Sequence, residues 1–287
     1  MKIKNLKLKI VFLGTSEFAI PTLKTLLLSD NQPILVITSE DKPAGRGRKL
    51  ASSPVKALAL ANNLAILEPS KIDRDFIEKT KVLGPDIGVL AAYGKILPKA
   101  FIEAFPLGIL NIHPSLLPKY RGPSPIQAAI LNGDKKTGVT IILIDEKMDH
   151  GPILAERAIN IDNPDYLELH NQLAELGIKV LLEVLPEWIQ GNIKPRSQNE
   201  SEATYSKLIK KEDGQIDWSR PAEEIERMVR AYNPWPGAYT KIKNGEILKI
   251  KKVKVENGVL KILIVQPESK KEMPWDAFLR GHPEFLK

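Results

Sequence analysis

The chain has 287 residues, of which 43% are hydrophobic and 27% charged, a composition typical of a globular protein with a real core. It has no cysteine, which excludes a disulfide scaffold, a cysteine-ligated zinc site and a cysteine nucleophile. No apolar run approaches the roughly 20 residues of a membrane span, and Ile10–Leu13 is too short for a signal-peptide core. We therefore expect a cytoplasmic protein with no membrane partner.

The net charge of +7 is unevenly placed along the chain. From Lys207 to the end there are 17 Lys/Arg and 12 Asp/Glu, which gives this segment a charge of +5. A basic segment suggests a polyanionic partner such as RNA. Lysines that only keep the surface solvated would give the same balance, so charge alone leaves both interpretations open.

The first two thirds of the chain alternates between short apolar runs and segments with helical spacing. The apolar runs predict buried strands at Lys9–Gly14, Ile34–Thr38, Asp86–Ala91, Gly108–His113 and Val139–Ile144. Helices are predicted at Glu17–Ser29, Val55–Ala65 and Pro164–Ile189, and a loop at Asp41–Lys49. This alternation indicates an α/β fold with a doubly wound, mostly parallel sheet, which we expect to occupy residues 1–189.

The last third of the chain has a different pattern. Residues 190–205 are polar and aperiodic, which predicts a linker. Beyond them we predict a helix at Pro221–Tyr232 and strands at Ala238–Ile242, Ile247–Val255 and Gly258–Val265. The pairs Asn244-Gly245 and Asn257-Gly258 predict tight hairpin turns. We therefore expect residues 206–287 to form a smaller C-terminal antiparallel β-barrel-like domain with one helix.

Polar side chains with catalytic potential follow two of the predicted strands. Asn111 and His113 lie two residues apart on one strand, so both side chains point to the same side, about 6.6 Å apart. Asp149 comes soon after the strand Val139–Ile144. Because ligands of open α/β sheets bind outside the carboxyl ends of the strands, we expect these three side chains to converge there.

An asparagine, a histidine and an aspartate can catalyse acyl transfer to an amine without a metal ion or a covalent intermediate. The amide and a protonated imidazole stabilise a developing oxyanion, the imidazole moves protons, and the carboxylate orients the imidazole and favours its charged form. Each residue also has a structural interpretation, because a lone His before a Pro is often structural and an Asn at a strand end often caps a loop. His150 and His170 are interpreted as a loop histidine and a structural one.

The longer sequence around these residues resembles one family closely. Asn111-Ile112-His113, followed by Ser115–Pro118 and Arg121-Gly122 and later by Asp149-His150-Gly151, resembles the signature of the 10-formyltetrahydrofolate-dependent formyltransferases. The resemblance implies that Asn111, His113 and Asp149 are catalytic, that 10-formyltetrahydrofolate is the formyl donor, and that no metal is needed. It also implies a folate pocket lined by Tyr93, Gly94, Ile96, Leu97, Ser115, Leu116, Leu117 and Pro118.

Further segments resemble the branch of this family that formylates initiator Met-tRNA. Phe12–Ala19 resembles the opening of that branch, with Ser16 where a proline is usual, and Tyr232–Pro236 resembles its C-terminal domain. Asp41–Leu50 resembles its tRNA-contacting loop, which implies tRNA contacts for Arg46, Arg48 and Lys49. The implied partners are initiator Met-tRNA and folate, and we expect a monomer.

Two alternatives differ in features that the sequence contains. A sugar-nucleotide N-formyltransferase shares the Asn/His/Asp signature and a C-terminal domain, but is expected to lack the Asp41–Leu50 loop and the basic tail. A non-catalytic RNA-binding module would need none of the three catalytic residue types. The chain departs from the family at one point: Val253–Val255 passes almost directly into Gly258–Val265, so we expect a shortened C-terminal β unit.

Overall fold

The computed structural model describes residues 8–44, 49–242 and 245–282. The chain divides into two compact units. The first comprises Met1–Gly122, Gly138–Ile159 and Asn171–Tyr205, and the second comprises Pro123–Thr137, Asn160–His170 and Ser206–Lys287. The second unit therefore includes two segments from within residues 1–189.

The secondary structure alternates as the hydrophobic pattern predicts. The described strands are β1 (Ile10–Gly14), β2 (Pro33–Ile37), β3 (Lys42–Ala44), β4 (Lys49–Ala51), β5 (Ile66–Leu67), β6 (Ile87–Ala91), β7 (Ile109–His113), β8 (Lys136–Leu143), β9 (Ile153–Asn160), β10 (Tyr239–Lys241), β11 (Ile247–Glu256), β12 (Val259–Pro267) and β13 (Met273–Pro274). The helices are α1 (Ile20–Leu27), α2 (Pro54–Ala61), α3 (Arg74–Val82), α4 (Lys99–Ile102), α5 (Pro125–Leu131), α6 (Tyr166–Ile189), α7 (Ala222–Tyr232) and α8 (Trp275–Arg280).

The first unit is built on a seven-stranded sheet in the order β5-β2-β1-β6-β7-β8-β9. Strands β5, β2, β1, β6 and β7 are parallel to their neighbours, whereas β8 runs antiparallel to β7. The predicted mostly parallel α/β sheet is thus confirmed. Every residue of β1, β6 and β7 is buried, as expected for strands covered on both faces.

The structure differs from the sequence prediction between β2 and α2. The predicted loop Asp41–Lys49 contains strand β3 and the first residue of β4, and the two strands pair antiparallel with Pro43 opposite Leu50. Each strand has only three residues, and a Pro lies in the first. Strands this short have no alternation to detect, and the Gly and Pro content indicates a loop.

Ion pairs hold the foot of the β3–β4 hairpin. Lys56 Nζ, on α2, lies 2.8 Å from Asp41 Oδ1 and 2.9 Å from Glu68 Oε2. The hydrogen bond from Lys56 is the main cause that lowers the pKa of Asp41, and the bond to Asp41 is the main cause that raises the pKa of Lys56. Ser53 caps the start of α2 by accepting a hydrogen bond from the Lys56 amide at 3.0 Å. The side chain of Lys56 connects α2 to Asp41, which immediately precedes β3.

Helix packing and side-chain bonds explain why the second unit includes chain segments from within residues 1–189. Helix α7 packs on α5, and Arg227 Nε donates to the Leu131 carbonyl oxygen at the end of α5, at 2.9 Å. Arg230 Nη1 donates to the Pro164 carbonyl oxygen at 2.7 Å. These bonds satisfy carbonyl groups that the helix end and the loop leave without backbone partners.

The remainder of the second unit is a four-stranded antiparallel sheet in the order β10-β11-β12-β13. Asn257 and Gly258 form the predicted tight turn between β11 and β12, with φ of +52° and +75°. Both values suit the two central positions of a type I′ hairpin. Among the described strands no pairing closes this sheet into a barrel, in keeping with the shortened sequence; Asn244 lies outside the described residues.

No helix in the described part of the chain is both long enough and apolar enough to cross a membrane.

Replacing Tyr93 by Phe should stabilise the protein. Tyr93 belongs to the core cluster of the first unit and is 3% exposed, and its hydroxyl has no hydrogen-bond partner among the described residues. A buried hydroxyl without a partner costs about 1–3 kcal/mol, so we expect the free energy of unfolding of Tyr93→Phe to rise by about 1 kcal/mol in a urea titration.

The same variant should change the response to alkaline pH. Burial raises the pKa of Tyr93 from 10.0 to about 12, so between these values the unfolded chain loses a proton that the folded chain retains. Tyr93 therefore lowers stability as pH rises through this window, and Tyr93→Phe should lose less. Tyr166→Phe is the control for the gain in stability at neutral pH. The hydroxyl of Tyr166 bonds Gln127, so its loss should lower the free energy of unfolding. A Tyr93→Phe variant less stable than the wild type would contradict this account.

Candidate active site

Asn111 and His113 lie at the carboxyl end of β7, in the middle of the sheet. Their side chains are 5% and 3% exposed. Both approach the same oxygen of Asp149, which confirms that the two side chains point to one side of the strand.

His113 has a partner at each ring nitrogen. Nε2 lies 2.9 Å from the carbonyl oxygen of Tyr120, and Nδ1 lies 3.5 Å from Asp149 Oδ1. A carbonyl oxygen only accepts, so Nε2 carries a hydrogen and donates it. A carboxylate also only accepts, so Nδ1 can bond Asp149 only as a donor.

The carboxylate of Asp149 joins the site together. Oδ2 accepts from the Gly122 amide at 2.7 Å, and Oδ1 lies 3.4 Å from Asn111 Nδ2. The backbone φ of Asp149 is +48°, a left-handed conformation that is uncommon outside glycine. The carboxylate therefore has a fixed oxygen on the Gly122 side and a shared oxygen on the Asn111 and His113 side.

The chain brings Asp149 to this place by an indirect route. Because β8 is antiparallel, its last residue Leu143 pairs with Leu110, away from the carboxyl end of β7. Asp149 lies in the connection between β8 and β9, which returns toward His113. Gly151 makes the return possible, since a Cβ there would lie 1.7 Å from the Leu143 carbonyl oxygen. The side chains converge as predicted, but Asp149 does not do so through a parallel strand end.

The loop after β7 contains four of the predicted folate residues. Ser115 is fully buried, and its hydroxyl donates to the Lys119 carbonyl oxygen at 2.5 Å. Thr140 Oγ1 on β8 accepts from the Leu117 amide at 3.1 Å and donates to the Ser115 carbonyl oxygen at 2.7 Å. Leu117 is buried, whereas Leu116 and Pro118 are half-buried. The loop is thus held from inside by bonds to the sheet.

The other four predicted folate residues divide into two kinds. Tyr93 and Leu97 are each 3% exposed and belong to the core cluster. Gly94 and Ile96 between them are exposed, Ile96 at 72%, and Gly94 has φ of +77°. Only Gly94 and Ile96 present a surface to a ligand, with Tyr93 and Leu97 packed behind them.

Two of the three predicted tRNA contacts, Arg46 and Arg48, lie outside the described residues. Lys49 is the first residue of β4, opposite Ala44 in the hairpin. The next residue, Leu50, is 72% exposed.

The sequence prediction gave no functional role to a cluster of four residues that is bonded to the loop of Asp149 through Gln198. Arg121 is fully buried, and its guanidinium donates to Gln198 and Glu200. Gln198 and Glu200 lie in the predicted linker, whose lack of periodicity gave no indication of these contacts. His150 joins the same cluster, since Nδ1 is 2.5 Å from Asp145 Oδ2 and Nε2 is 3.4 Å from Glu200 Oε1.

Among the residues that the structure describes, no group of three or more His, Asp or Glu lies close enough together to hold a metal ion. The chemistry available to these side chains is hydrogen bonding to a developing negative charge and proton transfer.

Comparison with protein families gives two matches. The model described as "Formyl transferase" matches residues 8–185, and "Formyl transferase, C-terminal domain" matches residues 208–258. The methionyl-tRNA formyltransferase of Chloroflexus aurantiacus is 43% identical over 301 residues, which cover 96% of this chain and 97% of that protein.

Solved structures share the fold. The methionyl-tRNA formyltransferase from Clostridium thermocellum has a TM-score of 0.61 at 21% identity, over 91% of this chain and 98% of that one. WlaRD, a sugar 3N-formyl transferase solved in the presence of dTDP and 5-N-formyl-THF, has a TM-score of 0.66 at 23% identity, over 93% and 100% of the two chains. At these identities the likeness supports the fold alone. The two family matches and the full-length relative together show that the chain belongs to the formyl transferase family and, within it, to the methionyl-tRNA formyltransferases.

Proposed function

We propose that this protein transfers a formyl group from 10-formyltetrahydrofolate to the α-amino group of initiator Met-tRNA, in the cytoplasm, for translation initiation. The observation that carries the proposal is the approach of Asn111 and His113 to one oxygen of Asp149. It occurs in a chain that is 43% identical to a methionyl-tRNA formyltransferase over 96% of its length.

The proposed reaction is a single acyl transfer from the folate to the methionyl amine. When bound, the folate supplies an activated formyl carbon on its N10 nitrogen. A free α-amino group has a pKa of about 7.7–8.0, so a fair share of the methionyl amine is neutral and can attack that carbon. A C–N bond to methionine forms, and the bond from the formyl carbon to N10 breaks.

Asn111 and His113 stabilise the negative charge that develops on the formyl oxygen. Asn111 Nδ2 has a second hydrogen to donate, and His113 Nδ1, which lies a long 3.5 Å from Asp149 Oδ1, donates to the incoming oxygen instead. Their low exposure strengthens these bonds because little water competes. Asp149 orients the imidazole, and passes the proton lost by the amine toward the leaving nitrogen.

The folate binds between the loop Ser115–Pro118 and the loop around Gly94 and Ile96. The exposed Ile96 and the half-buried Leu116 and Pro118 offer apolar surface to a flat aromatic ring, with backbone groups beside them. Tyr93 and Leu97 support the second loop from the core. This set suits a pteridine ring and requires no charged side chain.

The tRNA is held by two parts of the chain. Arg46, Arg48 and Lys49, on the β3–β4 hairpin, contact the acceptor end and open its last base pair. The segment 206–287 binds the tRNA backbone through its net charge of +5, while the first unit, which includes residues 190–205, carries the catalysis. At the foot of the hairpin, Lys56 is already paired with two carboxylates, so we assign the RNA contacts to Arg46, Arg48 and Lys49 and not to Lys56.

The acceptor is the point on which a sugar-nucleotide N-formyltransferase would differ. The purified protein should formylate Met-tRNA from 10-formyltetrahydrofolate and leave an amino-sugar nucleotide unchanged, as measured by radiolabel transfer to each acceptor. Rates on Met-tRNA should fall steeply as salt is raised, because phosphate contacts release counterions. Transfer to the amino sugar with none to Met-tRNA would overturn the proposed function.

Removing a catalytic group should lower turnover much more than folate binding. We expect His113→Ala and Asp149→Asn to lower kcat by about 100- to 10,000-fold, and Asn111→Ala by about 100- to 1,000-fold. Folate Kd, measured by fluorescence quenching, should change little.

The control is Arg157→Ala, which removes an exposed ion pair with Glu183 in the first unit. It should keep the wild-type kcat. Wild-type turnover in both Asn111→Ala and His113→Ala would remove this site from the mechanism.

Arg46 is expected to act on the end of the acceptor arm. Arg46→Ala should lose activity on tRNAs whose first acceptor pair is mismatched or a G·C pair, and should lose the discrimination between them, because opening a pair costs a few kcal/mol. Initial rates on the two tRNAs give both quantities. The matched control, Lys42→Ala, removes an exposed cation from the foot of the same hairpin and should keep the wild-type ratio. Wild-type rates and ratio in Arg46→Ala would leave the hairpin without a role in tRNA recognition.

A further inference from the structure

We propose that Gln198 and Arg121 are positioning residues that hold the loop of Asp149 in its catalytic conformation. This inference rests on the proposed function for its kinetic consequence, and on hydrogen bonds within the first unit for its geometry. Gln198 acts through the backbone of Asp149, and Arg121 acts through Gln198 and through its chain neighbours Tyr120 and Gly122, which bond His113 and Asp149.

Gln198 bonds to the backbone on both sides of His150. Its Nε2 donates to the Asp149 carbonyl oxygen at 2.8 Å and to the Gly151 carbonyl oxygen at 2.8 Å. One side-chain amide thus uses both hydrogens on the loop that carries the carboxylate. This fixes the backbone of Asp149 while the Gly122 amide fixes its side chain.

Arg121 sets which way the Gln198 amide faces. Its Nε and Nη2 donate to Gln198 Oε1 at 3.0 and 2.8 Å. A guanidinium only donates, so the amide oxygen faces Arg121 and the NH₂ group faces the loop. Arg121 also precedes Gly122, so a single turn holds the carboxylate directly and the backbone through Gln198.

Arg121 is itself clamped although it is buried. Nη1 and Nη2 donate to Glu200 Oε2 and Oε1 at 3.0 and 2.6 Å, a bidentate pair, and Nη1 donates to the Tyr205 hydroxyl at 3.3 Å. The bonds to Glu200 raise the pKa of Arg121, and those from Arg121 hold the pKa of Glu200 below its ordinary value. A buried charge needs such partners, and Glu200 supplies them, so the guanidinium of Arg121 does not pair with the carboxylate of Asp149.

Asp149 needs this support because its backbone is in a costly conformation. With φ of +48°, Asp149 occupies a region that L residues other than glycine rarely adopt. Such conformations persist only where surrounding bonds impose them, and they concentrate at functional sites. Without the bonds from Gln198, the loop is expected to relax and to move the carboxylate away from His113.

The test compares two Gln198 variants with a control on the same segment. Gln198→Ala removes the bonds to the loop. Gln198→Glu keeps the size and the partner of Arg121, but places an oxygen that cannot donate against the two carbonyl oxygens. The control is Arg196→Ala, two residues before Gln198. It removes an exposed ion pair with Glu156 and no bond to the Asp149 loop.

Two readouts are measured on the full-length chain. A displacement of about 1 Å can cost about 100-fold in rate, so kcat for Met-tRNA should fall by about 10- to 100-fold in both Gln198 variants while the KM for folate changes little. By hydrogen exchange, the Gly122 amide should become less protected in both, while amides of β1 and β6 keep their protection. Arg196→Ala should match the wild type in both readouts.

The inference requires both effects in Gln198→Glu. A wild-type kcat, or a wild-type Gly122 protection factor, overturns it, because either result separates Gln198 from the position of the carboxylate. If the wild-type protein itself does not formylate Met-tRNA, the proposed function fails, and the Gly122 exchange alone decides whether Gln198 positions the loop.

Discussion

The carboxylate of Asp149 accepts from the Gly122 amide at 2.7 Å and lies within 3.5 Å of both Asn111 Nδ2 and His113 Nδ1. The position of this one group joins Asn111, His113 and the Arg121-Gly122 turn into one site. Asn111 and His113 are placed by the strand itself, since β7 pairs with β6 on one side and with β8 on the other, and backbone pairing on both sides fixes its side-chain directions. Asp149 has no such frame, because it lies in a connection rather than a strand. Its position therefore depends on bonds made by side chains and by a single glycine.

The antiparallel direction of β8 is the source of this difference. A parallel β8 would end beside His113 and would deliver a following aspartate directly. Instead β8 ends beside Leu110, and the chain must turn back along the sheet to reach the site. The turn passes so close to Leu143 that Gly151 leaves no room for a side chain. The aspartate then adopts a left-handed backbone conformation. Close packing and backbone strain are both consequences of the topology, and both explain why the loop needs bonds from elsewhere.

The sequence predicts the parts of the molecule whose pattern is local. Apolar runs locate β1, β2, β6, β7 and β8, and the period of two along β7 correctly predicts that Asn111 and His113 share a side. The Asn257-Gly258 pair predicts its turn because only the two dihedral angles of those residues matter. By contrast, β3 and β4 are too short for alternation to appear. Arg121 and Gln198 are 77 positions apart, and no local pattern relates two residues at that distance. A polar segment that makes specific bonds has the same composition as one that makes none, so the predicted linker concealed Gln198 and Glu200.

The neutral amide between Arg121 and Asp149 has a physical advantage over a direct ion pair. If the guanidinium faced the carboxylate, a bidentate pair would satisfy both oxygens of Asp149 and would compete with His113 for Oδ1. Glu200 takes the charge of Arg121 instead, and Gln198 passes on only the geometry, through two bonds to backbone carbonyl groups. The loop is thereby held firmly while both carboxylate oxygens of Asp149 stay available to Gly122, Asn111 and His113.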